Sequence, residues 1–229
     1  MRFAASLNDM IWKNIIVRNR TLGKWNRKRW LSSALALAFL FIFACALKAD
    51  PADEIARLAA LMKWKPGTIV ADIGAGDGSY SFAAAERVGA TGRVFATEID
   101  TKKLKELRAE VKKRNLQNVT VMESAEADTK LPTACCDAIF LRRVYHHLTK
   151  PAEFDANLLR SLKPGGKLAI IDFPPREGLE PVEGVPANRG GHGIPQKVAI
   201  DELVVAGFQV EKSVNDWPGQ SYCIIFVKK

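Results

Sequence analysis

The stretch VADIGAGDGSYS, from Val70 to Ser81, is the most informative part of this sequence. An apolar and β-branched run gives way to alternating glycines, and a helix-compatible segment follows. Glycine lets the backbone turn sharply and approach a ligand, because it has no Cβ. A glycine-rich turn between a strand and a helix is where doubly wound α/β proteins hold nucleotide-like cofactors. The stretch therefore predicts a strand, a cofactor-binding turn and a helix.

The spacing of the glycines separates this turn from the dinucleotide fingerprint. The pattern here is D-x-G-x-G-x-G, whereas G-x-G-x-x-G would place its third glycine at Ser79. A second strand-like run, residues 93–98, ends in Glu98, which lies 20 residues beyond Gly78. A carboxylate at that position can accept two hydrogen bonds from ribose hydroxyls. A tight turn without a ligand is the alternative, and the position of Glu98 speaks against it.

Four stretches of the chain resemble the class I S-adenosylmethionine-dependent methyltransferases, and the resemblance covers roughly residues 51–229. They are VADIGAGDG (70–78), ATEID (96–100), DAIFLRRVYHHL (137–148) and LKPGGKLAIIDF (162–173). The resemblance implies S-adenosyl-L-methionine as the cofactor. It also implies an α/β, three-layer α/β/α Rossmann-like sandwich. Its seven-stranded, mostly parallel sheet would have strand order 3-2-1-4-5-7-6, with the seventh strand antiparallel.

The resemblance also assigns roles to residues. The glycine turn would pass close to the methionine part of the cofactor, the acid after the second strand would hold the ribose, and residues after the third strand would flank the adenine. The predicted cofactor-binding residues are Asp72, Gly74, Ala75, Gly76, Gly78, Glu98, Ile99, Ser124, Ala125, Glu126 and Arg142. Many family members have an Asp where this chain has Ser124. Either Ser124 itself or Glu126 could receive the adenine amino group instead.

The order of elements read from the sequence agrees with an α/β sandwich, because strands alternate with helices and a β-pair closes the chain. The predicted helices are 51–64, 79–88, 101–115, 151–162 and 194–206. The predicted strands after the first are 93–98, 119–123, 137–142, 167–172, 208–213 and 222–227. A Pro- and Gly-rich stretch, 174–193, is predicted to be a substrate lid. No repeat and no second globular domain is indicated.

Charge is concentrated at the N-terminus. The chain has 229 residues and a formal charge of +9, and residues 1–49 hold nine basic side chains and one acidic one. The other 180 residues therefore carry about one positive charge. A near-neutral body gives no electrostatic reason to expect a nucleic acid as partner. Residues 1–49 are thus set apart from a predicted methyltransferase domain over 50–229.

Residues 1–49 are predicted to be a signal or anchor segment. A basic stretch precedes an apolar run, 30–47, which is closed by small residues, as at a signal-peptidase site. The predicted location is therefore membrane-anchored or exported to the periplasm, with the membrane contacted through 30–47 if the leader is not cleaved. A buried helix and a mitochondrial presequence are weaker alternatives. The cofactor is made in the cytosol, so three possibilities stay open. The domain faces the cytosol, the cofactor is supplied to it outside the membrane, or the domain has lost its activity.

The cysteines indicate neither a disulfide framework nor a metal. Cys45 lies in the apolar run, Cys135 and Cys136 are adjacent, and Cys223 lies in the last strand. The chain has no C-x-x-C spacing, so buried free thiols are the expectation, and no metal ligand is predicted.

Candidate catalytic residues follow the fourth strand. Methyl transfer depends mainly on positioning, and a base is needed only where the nucleophile must lose a proton. His146 is the preferred general base and His192 the second, and Asp172 could orient either. Arg142 and Arg143 would favour an anionic acceptor if they point inward. Tyr145 and one histidine could instead pack beneath a loop.

The acceptor is predicted to be a small molecule. Methyltransferases that act on nucleobase or amide nitrogens carry an Asn/Asp-Pro-Pro-Tyr-like motif after the fourth strand, where this chain has LRRVY (141–145). A lipid-like and an anionic acceptor are both compatible with the sequence. Two other functions stay open at this point: a nicotinamide-dependent oxidoreductase, which the glycine spacing opposes, and a non-catalytic module that binds the cofactor.

Overall fold

Seven strands form one sheet in the computed structural model, which describes residues 50–229. The strands are β1 (Ile69–Ile73), β2 (Arg93–Glu98), β3 (Val119–Glu123), β4 (Cys136–Arg142), β5 (Leu162–Asp172), β6 (Phe208–Trp217) and β7 (Ser221–Lys228). Their order is β3-β2-β1-β4-β5-β7-β6. The first five pair in parallel, and β7 runs antiparallel to β5 and β6. This order confirms the predicted fold class.

Within residues 50–229, five helices cover the sheet. They are α1 (Pro51–Met62), α2 (Ser79–Val88), α3 (Thr101–Lys113), α4 (Pro151–Ser161) and α5 (Gln196–Val205), with short 3-10 turns at Tyr145–His147 and Ala187–Arg189. Asp50 caps α1 by accepting from the amide of Ala52 at 2.9 Å, and Asp100 caps α3 by accepting from Lys103 at 2.8 Å. A side-chain cap of this kind satisfies an amide that a helix leaves unpaired.

The core lies on both faces of the sheet. Because side chains alternate across a strand, Phe140 of β4 packs into one apolar cluster while Ile139 and Leu141 pack into the other. The first cluster contains side chains of α1, α2 and α3, and the second contains side chains of α4 and α5. Burial on both faces explains why β4 is an almost continuous apolar run.

The closing hairpin is longer than predicted. We expected an irregular connection over 214–219, but β6 continues to Trp217, which pairs with Ser221 across a tight turn. Burial of the Trp217 ring accounts for this extension. Strand β5 also begins earlier than predicted, at Leu162, which pairs with Cys136 of β4. The Lys-Pro-Gly-Gly segment that follows Leu162 forms an irregularity in this pairing, and the regular register resumes at Lys167.

The segment 174–193 folds back on itself outside the sheet. The amide of Val182 donates to the carbonyl of Gly191 at 3.1 Å. Its end is fixed by Arg189, which is 1% exposed and ion-paired with Glu202 at 2.8 Å. Arg189 also donates to two carbonyls, those of Leu148 and Tyr145, at 2.8 and 3.0 Å. The predicted role of this segment as a lid stays a prediction.

The predicted leader, including the apolar run 30–47 and Cys45, lies outside the described residues. Within residues 50–229, no helix combines the length and the apolar character that crossing a membrane requires. The three cysteines of this part of the chain, Cys135, Cys136 and Cys223, are free thiols.

Candidate active site

The glycine turn connects the end of β1 to the start of α2. Gly74, Gly76 and Gly78 all have positive φ angles, of 72°, 58° and 82°. A Cβ on Gly74 would lie 2.6 Å from Val144, and one on Gly78 would lie 2.4 Å from Leu107. At Gly76 no atom of residues 50–229, apart from the glycine's own chain neighbours, lies within 4 Å of such a Cβ. Gly74 and Gly78 are therefore required by packing, whereas Gly76 faces open space that a cofactor could fill.

Glu98 ties this turn to the end of β2. The side chain is 6% exposed, and its Oε2 accepts from the amide of Gly76 at 2.9 Å. Its Oε1 accepts from the amides of Ile99 and Asp100, at 2.8 and 3.1 Å. A carboxylate has about four lone-pair positions, so Oε2 keeps the capacity to accept from a ribose hydroxyl. The predicted ribose-binding acid thus lies directly beside the open glycine.

Ile99 provides an apolar surface next to Glu98. Its side chain is 56% exposed, although most large apolar side chains of the domain are buried. The neighbouring strand β3 ends at Glu123, and the amide of Ser124 donates to the carbonyl of Glu98 at 3.0 Å. An exposed isoleucine beside a carboxylate and an open backbone turn suits a ligand with a flat apolar ring and a sugar. These residues fit the adenosine part of S-adenosylmethionine.

The other predicted cofactor residues are placed around this centre. Ala125 forms an isolated bridge with Asp128, and Glu126 accepts a hydrogen bond from the Thr149 hydroxyl. Ala75 is nearly buried, and its amide donates to the carbonyl of Thr97 at 2.8 Å. The assignment of cofactor contacts to these residues stays a prediction.

Asp72 lies beneath the turn. It is 3% exposed and accepts from the Ser81 hydroxyl at 2.6 Å, so it joins β1 to the first turn of α2. Burial raises the pKa of Asp72 to about 7, and the charge of Glu98 acts in the same direction, against the hydrogen bond from Ser81. The structure therefore gives Asp72 a supporting position, and direct contact with a cofactor stays a prediction.

Arg142 is held by a buried carboxylate. Its Nε and Nη2 donate to Glu54 at 3.0 and 2.8 Å, and its guanidinium lies 4.3 Å from the centre of the Tyr80 ring. Glu54 also accepts from the Tyr80 hydroxyl at 2.7 Å and from Trp217 Nε1 at 2.8 Å. Burial opposes ionisation of Glu54, but hydrogen bonds from Arg142, Tyr80 and Trp217 outweigh it and lower its pKa. The network ties α1 to the carboxyl ends of β4 and β6.

His146 and Asp172 form a buried pair at the carboxyl ends of β4 and β5. His146 is 2% exposed, and its Nδ1 lies 2.8 Å from Asp172 Oδ1. The second oxygen of Asp172 accepts from the His146 amide at 3.1 Å. Because an ionised carboxylate only accepts, Nδ1 is the donor in this hydrogen bond. Nε2 has no hydrogen-bond partner within residues 50–229.

Both predicted bases lie in one aromatic cluster. The ring centre of His146 lies 4.0 Å from that of His147, 4.8 Å from Phe173 and 5.5 Å from His192. The Nδ1 of His192 lies 3.0 Å from the carbonyl oxygen of Glu180, so segment 174–193 brings this histidine to the site. Tyr145, by contrast, is fully buried and donates to Asp155 at 2.9 Å, which makes it a packing residue.

No local pattern in the sequence marks Glu54, Arg176 or Trp217, although all three contribute to this end of the sheet. An acidic residue in the first turn of a helix is already explained by the helix dipole. The partners of Glu54 lie 26, 88 and 163 residues away along the chain. Only the folded sheet brings them together.

Comparisons with known proteins agree with this geometry. Residues 71–170 match the family model described as a methyltransferase domain. A demethylmenaquinone methyltransferase of Listeria welshimeri is 30% identical over 112 residues, which are 49% of this chain and 48% of that protein. A 27-O-demethylrifamycin SV methyltransferase of Amycolatopsis mediterranei is 29% identical over 167 residues, or 69% of this chain and 60% of that protein.

Solved structures give the same fold over a longer stretch. The crystal structure of a SAM-dependent methyltransferase from Aquifex aeolicus has a TM-score of 0.66 and 26% identity, and the match covers 80% of this chain and 100% of that one. The chain spans about half the length of the Listeria relative. The chain therefore has the fold of the class I S-adenosylmethionine-dependent methyltransferases, and its residues 71–170 match a methyltransferase-domain model.

Proposed function

We propose that this chain transfers the methyl group of S-adenosyl-L-methionine to a small-molecule acceptor. The observation that carries the proposal is the hydrogen bond between Glu98 and the amide of Gly76, beside open space and the exposed Ile99. These three residues offer a carboxylate for a sugar diol, an unobstructed backbone and an apolar surface. Such a combination suits an adenosyl ligand.

Different residues would contact different parts of the cofactor. Glu98 would accept from the ribose hydroxyls, the turn at Gly74–Gly78 would contact the methionine part, and Ile99 would pack against the adenine, with residues 124–126 on its other side. When bound, the cofactor supplies a methyl carbon already activated by its positive sulfur. The protein then has to exclude water and hold the acceptor in line with that carbon.

His146 is proposed as the general base. Asp172 would fix its ring and its tautomer, and Nε2, a buried nitrogen with no hydrogen-bond partner within residues 50–229, would take a proton from the acceptor. Once His146 is protonated, the Asp172 carboxylate stabilises the imidazolium. His192, 5.5 Å away between ring centres, would close the site from segment 174–193 and is the second candidate.

The names of the relatives support a small acceptor. One is named for demethylmenaquinone and another for 27-O-demethylrifamycin SV, and both compounds are small molecules. We propose an acceptor of similar size for this chain.

Two measurements test the proposal against its rivals. S-adenosylmethionine and S-adenosylhomocysteine should raise the melting temperature of the protein, whereas NAD should not; the opposite result would indicate an oxidoreductase. A tritiated-methyl transfer assay on cell extracts then separates an enzyme from a binding module. His146→Gln should abolish the labelled product while leaving binding of S-adenosylhomocysteine unchanged. Absence of any labelled product with the native protein would favour the module.

We further propose that residues 1–49 act as a signal or anchor, so that the domain is exported or membrane-anchored. The charge distribution and the apolar run 30–47 support this location. Cell fractionation, combined with N-terminal sequencing of the mature protein, tests it. Full-length protein recovered only from the cytosolic fraction would refute it. Membrane-bound, uncleaved protein whose domain is protected from external protease would indicate the cytosolic orientation.

A further inference from the structure

Two guanidinium groups converge on one carbonyl oxygen at the carboxyl end of the sheet. Arg143 Nη2 and Arg176 Nη2 each donate to the oxygen of Gly219, both at 3.1 Å. Arg143 directly follows β4, Arg176 lies shortly after β5, and Gly219 lies in the turn between β6 and β7. Three separate parts of the chain therefore bring two positive charges together.

Neither of these arginines is ion-paired within residues 50–229. Arg142 and Arg189, in contrast, each have a carboxylate partner, Glu54 and Glu202. Nε of Arg143 is buried and has no hydrogen-bond partner among the described residues. Burial lowers the pKa of Arg143, and the charges of Arg142 and Arg176 add to the effect. An anion placed between the two guanidinium groups would relieve this repulsion.

Arg143, Arg176 and the candidate base His146 all lie near the ring of Phe173. The guanidinium carbons of Arg176 and Arg143 lie 4.4 and 5.7 Å from the centre of the Phe173 ring. The ring centre of His146 lies 4.8 Å from the same point. The two arginines and His146 therefore all lie around the same aromatic ring.

We propose that Arg143 and Arg176 form an oxyanion-binding site for the methyl acceptor, which therefore carries a carboxylate or phosphate group. This inference rests on the proposed methyl transfer. Guanidinium groups bind such oxyanions with paired, charge-assisted hydrogen bonds. In the sheet, Gly219 lies beyond β5, whereas the glycine turn and Glu98 belong to β1 and β2. The arginines are thus on the acceptor side of the site.

The test uses benzoate and inorganic phosphate as probes, with benzamide as the uncharged match for benzoate. Thermal melts and calorimetry are run with and without saturating S-adenosylhomocysteine. Benzoate or phosphate should stabilise the native protein, and benzamide should not. Arg143→Gln combined with Arg176→Gln should weaken the binding of the anion at least tenfold. Arg87→Gln, which removes an exposed arginine at the end of α2, should bind the anion like the native protein.

Each other outcome overturns the inference. Equal effects of benzoate and benzamide, or anion binding that survives in the double variant, would show that the arginines do not form the site. A tenfold loss of S-adenosylhomocysteine affinity in the double variant would place them in the cofactor site. If the double variant fails to fold, Arg176→Gln alone, at an exposed position, is held to the same tenfold criterion. Failure of the native protein to bind S-adenosylhomocysteine would refute the proposed function instead.

Discussion

Gly76 offers a direct way to separate folding from cofactor binding. In Gly76→Ala the new methyl group would meet no atom within 4 Å in the described part of the chain beyond its own chain neighbours, so the change adds no clash there. The backbone there has a φ of 58°, which costs an alanine about 1–2 kcal/mol. For a domain of this size, that cost lowers the melting temperature by roughly 3–6 °C. The variant should therefore fold.

Binding should respond much more strongly than stability. The methyl group would occupy the open space that the cofactor is proposed to fill, so the affinity for S-adenosylhomocysteine should fall at least tenfold, or about 1.4 kcal/mol. Gly165→Ala is the matched control, because Gly165 has a φ of 74° and equally open surroundings at the start of β5. It should lose similar stability and keep native affinity.

Calorimetry with S-adenosylhomocysteine measures the affinity of both variants, and thermal melts measure their stability. The reasoning is refuted if Gly76→Ala binds as tightly as the native protein. Gly74→Ala and Gly78→Ala should instead destabilise the fold by about 2–5 kcal/mol, since overpacking adds to the backbone cost. Their methyl groups would lie 2.6 and 2.4 Å from the side chains of Val144 and Leu107.

Three further variants test the supporting network. Glu54→Gln should lower the free energy of unfolding in urea by about 3–5 kcal/mol, because it leaves Arg142 without its partner in a buried network; a change below 1 kcal/mol would contradict this. Asp172→Asn should lower kcat at least a hundredfold and leave KM for the cofactor unchanged, because it removes the group that fixes the His146 tautomer. The pH profile of kcat should also move. An unaltered profile would exclude this role for Asp172. Asp72→Asn should flatten the pH dependence of stability between about pH 4 and 7. The folded-state pKa of Asp72 is raised to about 7, so the native protein loses stability as pH rises through this window, by on the order of 4 kcal/mol. Urea melts at several pH values give the free energy of unfolding at each pH. If this free energy changes with pH equally in the variant and the native protein, that assignment is refuted.

Much of the fold follows from local signals. Helix α2 begins at Ser79 and ends at Val88 as predicted, because the glycines on either side mark its limits. The apolar run of β4 correctly indicates a strand buried on both faces. The β6–β7 hairpin was predicted too short, since the burial of Trp217 beside Glu54 is a tertiary effect that alternation within 208–213 does not contain.

One part of the candidate site could likewise be predicted from the sequence, and another part could not. Gly76, Glu98 and Ile99 could be placed together because the carboxyl ends of adjacent parallel strands meet at one edge. His146 and Asp172 meet for the same reason, at the ends of β4 and β5. The approach of Arg176 to Arg143 depends on the path of an irregular segment and on the turn at Gly219, for which no periodicity exists.

The contact of Glu98 with a sugar diol is the central claim, and calorimetry on Glu98→Ala tests it most directly. The native protein should bind S-adenosylhomocysteine with measurable heat. The variant should lose about 1–3 kcal/mol of binding free energy, because the hydrogen bonds to a charged group disappear. Glu86→Ala, an exposed change on α2, should bind like the native protein. Folded native protein that releases no heat with this ligand, or a Glu98→Ala variant of native affinity, would contradict the account.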